Sequence, residues 1–395
     1  MNTNYFKLLK HSCILFCFCI FPLTAADINW QGFIAQGLIK TTDDSFVAFD
    51  DDISTNLTEL GINASIRLAP AWRIAGQLVY LDGSNRYPQG ARLDYLFVDW
   101  NFYSSLDWQA NLYLGRSKNQ HWLYSATRDV PFTRPSIVLP QSVYFDAFRD
   151  IAVSSDGLAL QVRHSNGYGD FTYNWSYGVT PISKQQHQML LGRNVRGKLQ
   201  LDHDHKASLY WQPSLSRFSI GVSLIDTEFN FEQQQELLFT NANFTVQRVM
   251  FHLRYHQELW ELALELQQER VKVEGFFAPN FNQNRFGQGG YLLLQYRAAA
   301  NWRLFGFIDY SVNNKDDRSG RVLEAATGGL IADYFAYQHT FATGLNYDIS
   351  PSISLNAEVH WVKGVGRLSP VIVPDLANNQ TEYWQLYALQ LIYRF

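Results

Sequence analysis

The feature that most constrains this chain is a period-two alternation of apolar and polar residues that recurs through most of its length. Leu60, Ile62, Ala64, Ile66 and Leu68 alternate with Gly61, Asn63, Ser65 and Arg67. Phe171, Tyr173, Trp175, Tyr177 and Val179 do the same against Thr172, Asn174, Ser176, Gly178 and Thr180. Successive side chains of a strand point to opposite faces, so each such segment has one apolar and one polar face. Leu259–Gln268 is rich in Glu and Leu, but its apolar residues fall two apart, which predicts strand rather than helix. Short turns at 69–71, 104–107, 165–170, 213–217, 256–258, 298–301 and 348–352 alternate with long polar connections. The long ones lie near 41–53, 82–91, 117–156, 181–194, 226–242, 274–287, 313–335 and 363–380. Seven short turns and eight long connections predict an all-β chain of about 16 antiparallel strands with every long loop at one end. That is the plan of a closed transmembrane β-barrel; a soluble sandwich has no reason to segregate its loops in this way.

Composition agrees. The chain has 28 Phe, 22 Tyr and 11 Trp, yet its mean hydropathy is only −0.20. Many aromatics at modest hydropathy suit strands that meet lipid on one side and water on the other. The first 26 residues read as a secretory signal peptide, with Lys7 and Lys10 before an apolar run from Ser12 to Leu23 and Thr24-Ala25-Ala26 at the cleavage site. Residues 27–395 are then the barrel. All three cysteines (Cys13, Cys17 and Cys19) fall in the signal segment, so the exported chain relies on no disulfide. The formal charge is −4 with no basic block, which argues against nucleic acid as a partner.

Trp72, Trp108, Trp260 and Trp302 each follow a short turn, and Trp30 opens the first strand. All five share the parity of the apolar face, which predicts an aromatic girdle at one membrane–water boundary. At the C-terminus Tyr387, Leu389, Leu391, Tyr393 and Phe395 occupy one face, and the chain stops on an aromatic. This resembles the terminal strand of Gram-negative outer-membrane barrels. The resemblance implies that Tyr393 and Phe395 are read by the barrel-assembly machinery and that the last strand closes on the first, near Asn29–Lys40.

Tyr113-Leu114-Gly115-Arg116-Ser117-Lys118, followed by the stretch from Ala126 to Tyr144 with Pro131, Pro135 and Pro140, looks like the third strand-and-loop unit of Gram-negative porins. The resemblance, to general and phosphate-selective-like porins of 16 strands, implies a third extracellular loop folded into the lumen. It also implies a homotrimer in the outer membrane that contacts lipid and passes small hydrophilic solutes or ions. The lysine-rich ladder of phosphate-selective porins has no counterpart among the scattered lysines here. Arg116, Arg128, Asp129, Arg134, Asp146, Arg149 and Asp150 are the candidates for the constriction. There, opposed charges would sort ions, or alternatively would only pin the loop as structural ion pairs. Inward parity adds Arg67, Arg73, Arg163, Arg254, Glu265 and Arg303 as pore-lining residues, with Arg297, Asp99, Glu261, Asp309 and Glu358 on the same face.

Three other readings compete with the passive pore. One is a substrate-specific channel for an organic acid or other anion. A second is a structural barrel with a blocked lumen. The third is a phospholipase-like barrel enzyme, to which His164-Ser165 points. Adjacent residues on a strand face opposite ways, so that pair is not expected to form a relay. Asp202-His203-Asp204-His205 offers two imidazoles to a metal, fewer protein ligands than zinc normally takes; no resident metal and no cofactor are expected. The pattern as a whole predicts that the folded protein, kept unboiled, migrates differently on a detergent gel from the boiled one. Recovery from the soluble periplasm with no such shift would overturn the barrel.

Overall fold

The computed structural model describes residues 28–48, 52–234, 239–368 and 380–395; the signal-peptide reading for 1–26 lies outside them. Sixteen strands form one closed sheet in which each pairs antiparallel with its neighbours in sequence. They are β1 (Ile28–Thr42), β2 (Thr58–Ala69), β3 (Trp72–Asp82), β4 (Gly90–Ser104) and β5 (Trp108–Lys118). Next come β6 (Ser154–Asn166), β7 (Gly169–Val179), β8 (Gly197–Pro213), β9 (Phe218–Gln233), β10 (Ala242–His256) and β11 (Trp260–Gly275). The last are β12 (Asn282–Ala299), β13 (Trp302–Val312), β14 (Tyr337–Ser350), β15 (Ile353–Lys363) and β16 (Tyr383–Arg394). Of Leu259–Gln268, everything from Trp260 onward is strand, as its period implies.

Short and long connections alternate as the sequence predicts, with two differences of extent. The connections expected near 226–242 and 274–287 are largely strand, because β9 runs to Gln233 and β12 starts at Asn282. The polar residues there still alternate and still pair across the hairpins (Asn243 opposite Asn230, Lys272 opposite Asn284). Polarity on both faces therefore marks strands that rise above the lipid, rather than loops.

The outer face is apolar: Ile62, Leu78, Leu224, Ile308 and Leu389 are all exposed. Trp30, Trp72, Trp108, Trp260 and Trp302 are exposed on the same face at the short-turn end. Several have ring partners, such as Trp72 stacked on Trp100 at 5.2 Å and Trp302 on Tyr347 at 4.4 Å. β16 closes on β1 in register, Leu389 opposite Leu38. The final rung is reciprocal: the Gly32 N–H donates to the Phe395 carbonyl at 2.8 Å and the Phe395 N–H to the Gly32 carbonyl at 3.0 Å. The Phe395 ring lies over Gly32 so closely that a Cβ there would sit 2.4 Å from it, while Trp30 packs against the ring edge at 5.9 Å.

Leu264, paired with Leu253 and Leu292, faces outward near the middle of β11. Leu264→Arg should destabilise the barrel by about 2–4 kcal/mol, the cost of arginine on the lipid face at mid-membrane. Urea titration of refolding into vesicles measures this, and a cost near zero would place β11 out of register.

Candidate functional site

The third long loop, 119–153, starts and ends at a closed neck: the Asn119 N–H donates to the Val153 carbonyl at 2.9 Å and the Asn119 side chain to the Ala152 carbonyl at 2.9 Å. From there the loop enters the barrel. The Gln120 and His121 carbonyls accept from Ser208 on β8 and Ser223 on β9, at 2.8 and 2.7 Å. The Leu123 N–H donates to Glu265 on β11 at 3.0 Å. The Ile137 and Val138 N–H groups share Glu358 on β15 at 2.7 and 2.9 Å, and the Ser142 N–H reaches Asp309 on β13 at 3.2 Å. Inward carboxylates of the wall thus accept the loop's backbone donors, which would otherwise be buried unpaired at a substantial cost. Between these bonds Trp122, Tyr124, Leu139, Val143 and Tyr144 pack on inward Met250, Leu293, Phe305 and Phe307. The prolines and apolar residues of the loop therefore serve an ordered segment packed on the inner wall.

The opposite side of the loop is held by charge. Arg134 grips Glu59 of β2 with both terminal nitrogens, at 3.2 and 2.7 Å. Arg128 and Arg86 share Asp146, each at 2.8 Å. Arg149 donates to Asp129 at 2.7 Å, and Lys118 lies 3.3 Å from the same carboxylate. Asp150 pairs with Arg92 of β4. Arg128, Asp129, Arg134, Asp146, Arg149 and Asp150 are therefore brought together, and the first five of these are buried. Burial raises the Asp146 carboxyl, but Arg86 and Arg128 outweigh it and hold the group below its ordinary value. Asp129 is likewise held well below the usual carboxylate range, burial being outweighed by Arg149 and Lys118. Both contributions are in place above the ordinary carboxylate range and are lost only as pH falls through the lowered values.

Other candidates are placed differently. Arg116 lies opposite Leu96, an exposed outer-face residue, and pairs with Asp156 on β6 rather than joining the loop. Glu265 faces inward but is fully covered, accepting from Leu123, Tyr144 and Tyr291 and contacting His252. It anchors the loop instead of meeting open water. Arg67, Arg73, Arg163, Arg254 and Arg303 lie on the inner face at the short-turn end, with Arg297. Arg73 pairs with Asp99 at 2.9 Å, Arg254 with Glu261 at 2.7 Å and Arg303 with Asp348 at 3.5 Å. Arg67 faces Arg73, and Arg297 faces Arg303, across the strands. Glu59, Arg86, Arg92 and Lys118 were not foreseen as partners of the loop. Parity alone would have put Glu59 on the inner face with Arg67, but not beside residue 134.

The two chemical motifs resolve into structural roles. His164 stacks on Trp108 at 3.9 Å on the outer face, and Ser165 donates to Asp170 at 2.6 Å, so the two do not meet. A register shift between Leu201 and His203 turns Asp202 to the side of His203, beside Asp226 and Glu228 on the outer face. Asp204 turns inward to Lys206 and Thr227. The ligand atoms of Asp202, His203 and Glu228 lie within 4.8 Å of one another, where hydrogen bonds and charge already pair the imidazole.

Replacing one member of a buried pair leaves the other uncompensated, at a cost of about 3–5 kcal/mol. Arg134→Met leaves Glu59 with Arg149 at 4.0 Å and the Tyr87 hydroxyl at 3.5 Å, and the effect should fall on the loop rather than the barrel. We expect an unchanged heat shift on gels but new protease cleavage within 119–153; full resistance would mean that this pair does not hold the loop.

No protein-family profile matches the chain, and no curated protein matches it. Among solved structures, outer-membrane expressed OmpT of Vibrio cholerae superposes with a TM-score of 0.57 at 9% identity, covering 94% of this chain and 98% of that one. The anion-selective porin from Comamonas acidovorans gives 0.55 at 11%, covering 94% and 100%. Salmonella typhi OmpF, in complex with daunomycin, gives 0.57 at 12%, covering 93% and 97%. At these identities the likeness is one of fold: the closed sixteen-strand sheet, with its apolar outer band and a loop inside the lumen, has the fold of these outer-membrane porin barrels.

Proposed function

We propose that this barrel is a passive channel for small hydrophilic solutes and ions, narrowed by its third loop and biased toward anions. The observation that carries the reading is the arginine-rich inner face at the short-turn end. There, Arg67, Arg163 and Arg297 are exposed and make no ion pair among the described residues. A low-dielectric wall focuses the field of such charges into the aqueous mouth, so they raise the local concentration of anions. The loop arginines carry less of this effect, because Arg128, Arg134 and Arg149 are buried against carboxylates. The anion-selective porin of Comamonas, which shares this fold, supports the same direction, and a trimer form of Vibrio OmpT supports a homotrimer here. Phe395 and Tyr393 would present the C-terminal strand to the barrel-assembly machinery.

The test is a planar-bilayer recording in a salt gradient. Wild type should give a reversal potential on the anion side. Arg67→Gln, Arg163→Gln and Arg297→Gln combined should move it toward cations, most strongly at low ionic strength, where screening is weakest. Equal ion preference in both proteins, with both conducting, would remove these arginines from the conduction path. Conductance that saturates with one organic anion would favour the substrate-specific channel, and no conductance at all the filled structural barrel.

A further inference from the structure

A second group of arginines lies higher in the barrel, on the side away from the loop's ion pairs. Arg248 on β10 faces Glu269 on β11 directly across the strands and donates to it at 2.9 Å. Arg285 on β12 stands two residues further along, opposite Val271, on the same inward face. Arg367, four residues past the end of β15, has Arg248 and Arg285 among its electrostatic neighbours. Arg248, Arg285 and Arg367 all lie within electrostatic reach of the single Glu269 carboxylate. Asp309 is also within reach of Arg367, but its carboxylate already accepts from the Ser142 N–H.

Of the three, only Arg248 hydrogen-bonds to the Glu269 carboxylate. The Arg285 and Arg367 side chains make no hydrogen bond and no ion pair among the described residues, and the Nε of each is buried without a partner. Burying an unpaired guanidinium donor is costly. Burying two of them beside a third, with one shared acid, leaves a local excess of positive charge that the described residues do not satisfy. The group is also backed on its inner side. The Arg248 guanidinium lies 5.5 Å from the Trp122 ring centre and that of Arg367 5.6 Å from the Phe145 ring centre, both rings belonging to the third loop. Stacking of this kind fixes the plane of a guanidinium while leaving its edge free to donate.

We propose that Arg248, Arg285 and Arg367 form a binding site for a small multivalent oxyanion, held between the β10–β12 wall, the third loop and the residues just after β15. Guanidinium edges pair with the oxygens of a tetrahedral or carboxylate anion through two parallel N–H bonds, a geometry that ammonium groups and spherical ions do not match. The ligand supplies the acceptors that Arg285 and Arg367 lack. The site is separate from the mouth arginines and does not depend on whether the barrel conducts.

The experiment is calorimetric titration of the detergent-refolded, full-length barrel with sulfate, and separately with malonate, at constant ionic strength set by chloride. Wild type should bind at least one of the two saturably, with one site per chain. Arg285→Gln combined with Arg367→Gln should weaken that binding about ten-fold or more for each guanidinium lost, with the heat shift on gels unchanged. Arg285→Lys should recover only part of it, since a point charge lacks the paired donors. Absence of saturable binding to wild type overturns the site. So does equal binding by the double variant, or displacement by chloride as effective as by the second oxyanion. Because the readout needs no membrane and no current, a barrel that binds but does not conduct would count against the proposed channel and leave this site standing.

Discussion

Every backbone N–H and C=O that this chain places in lipid must find a partner in the chain itself, since an unsatisfied group there costs several kcal/mol. The pairing of β16 with β1 is what meets that demand. Without it the sheet would carry two open edges at membrane depth; with it, each of the sixteen strands has two neighbours. The last rung, between Gly32 and Phe395, shows how closely the ends are matched. The glycine has no side chain because the terminal ring occupies its outer surface, and the ring in turn closes the aromatic belt against Trp30. Local choices of residue at both ends of the chain therefore serve one global constraint.

Closure creates an interior, and the third loop fills much of it by two different kinds of bond. On one side its backbone amides are taken by wall carboxylates, Glu265, Asp309 and Glu358. On the other its arginines and aspartates pair with each other and with Glu59, Arg86 and Arg92. The two arrangements differ in consequence. A carboxylate that accepts a backbone N–H fixes where the chain runs. A buried ion pair contributes little net stability but tolerates no single replacement. The loop is thus held across the lumen rather than along one wall, and most of its charge is spent on its own position.

Charge that is not spent in this way lies elsewhere. At the short-turn mouth, arginines face arginines across adjacent strands, and the acids nearby neutralise only some of them. Higher up, the Nε groups of Arg285 and Arg367 lack a partner among the described residues beside Glu269. An acidic chain overall can therefore present a basic path inside, because net charge counts the whole surface whereas a solute in the lumen meets only the inward face.

The strand count, the segregation of loops, the girdle tryptophans and the closing strand were all legible in the sequence, because each rests on a period of two or on a turn, and both are local. Period two also puts Arg67, Arg73, Arg163, Arg254, Arg303 and Glu265 on one face of their strands. The resemblance, not the period, put Arg116 at the constriction; its parity, shared with Leu112 and Leu114, is outward, beside Asp156. Period two is silent where position depends on what lies across the barrel. Glu265 has inward parity, but a loop more than a hundred residues away in sequence covers it. Arg285 looked like part of an extracellular connection until β12 extended past it. The sequence by itself determined that the chain is a barrel and which residues look inward, since alternation along a strand is a property of adjacent residues. Whether an inward charge meets water, a carboxylate or another arginine was decided only by the tertiary structure, since that depends on contacts between segments whose separation in sequence carries no information about their distance.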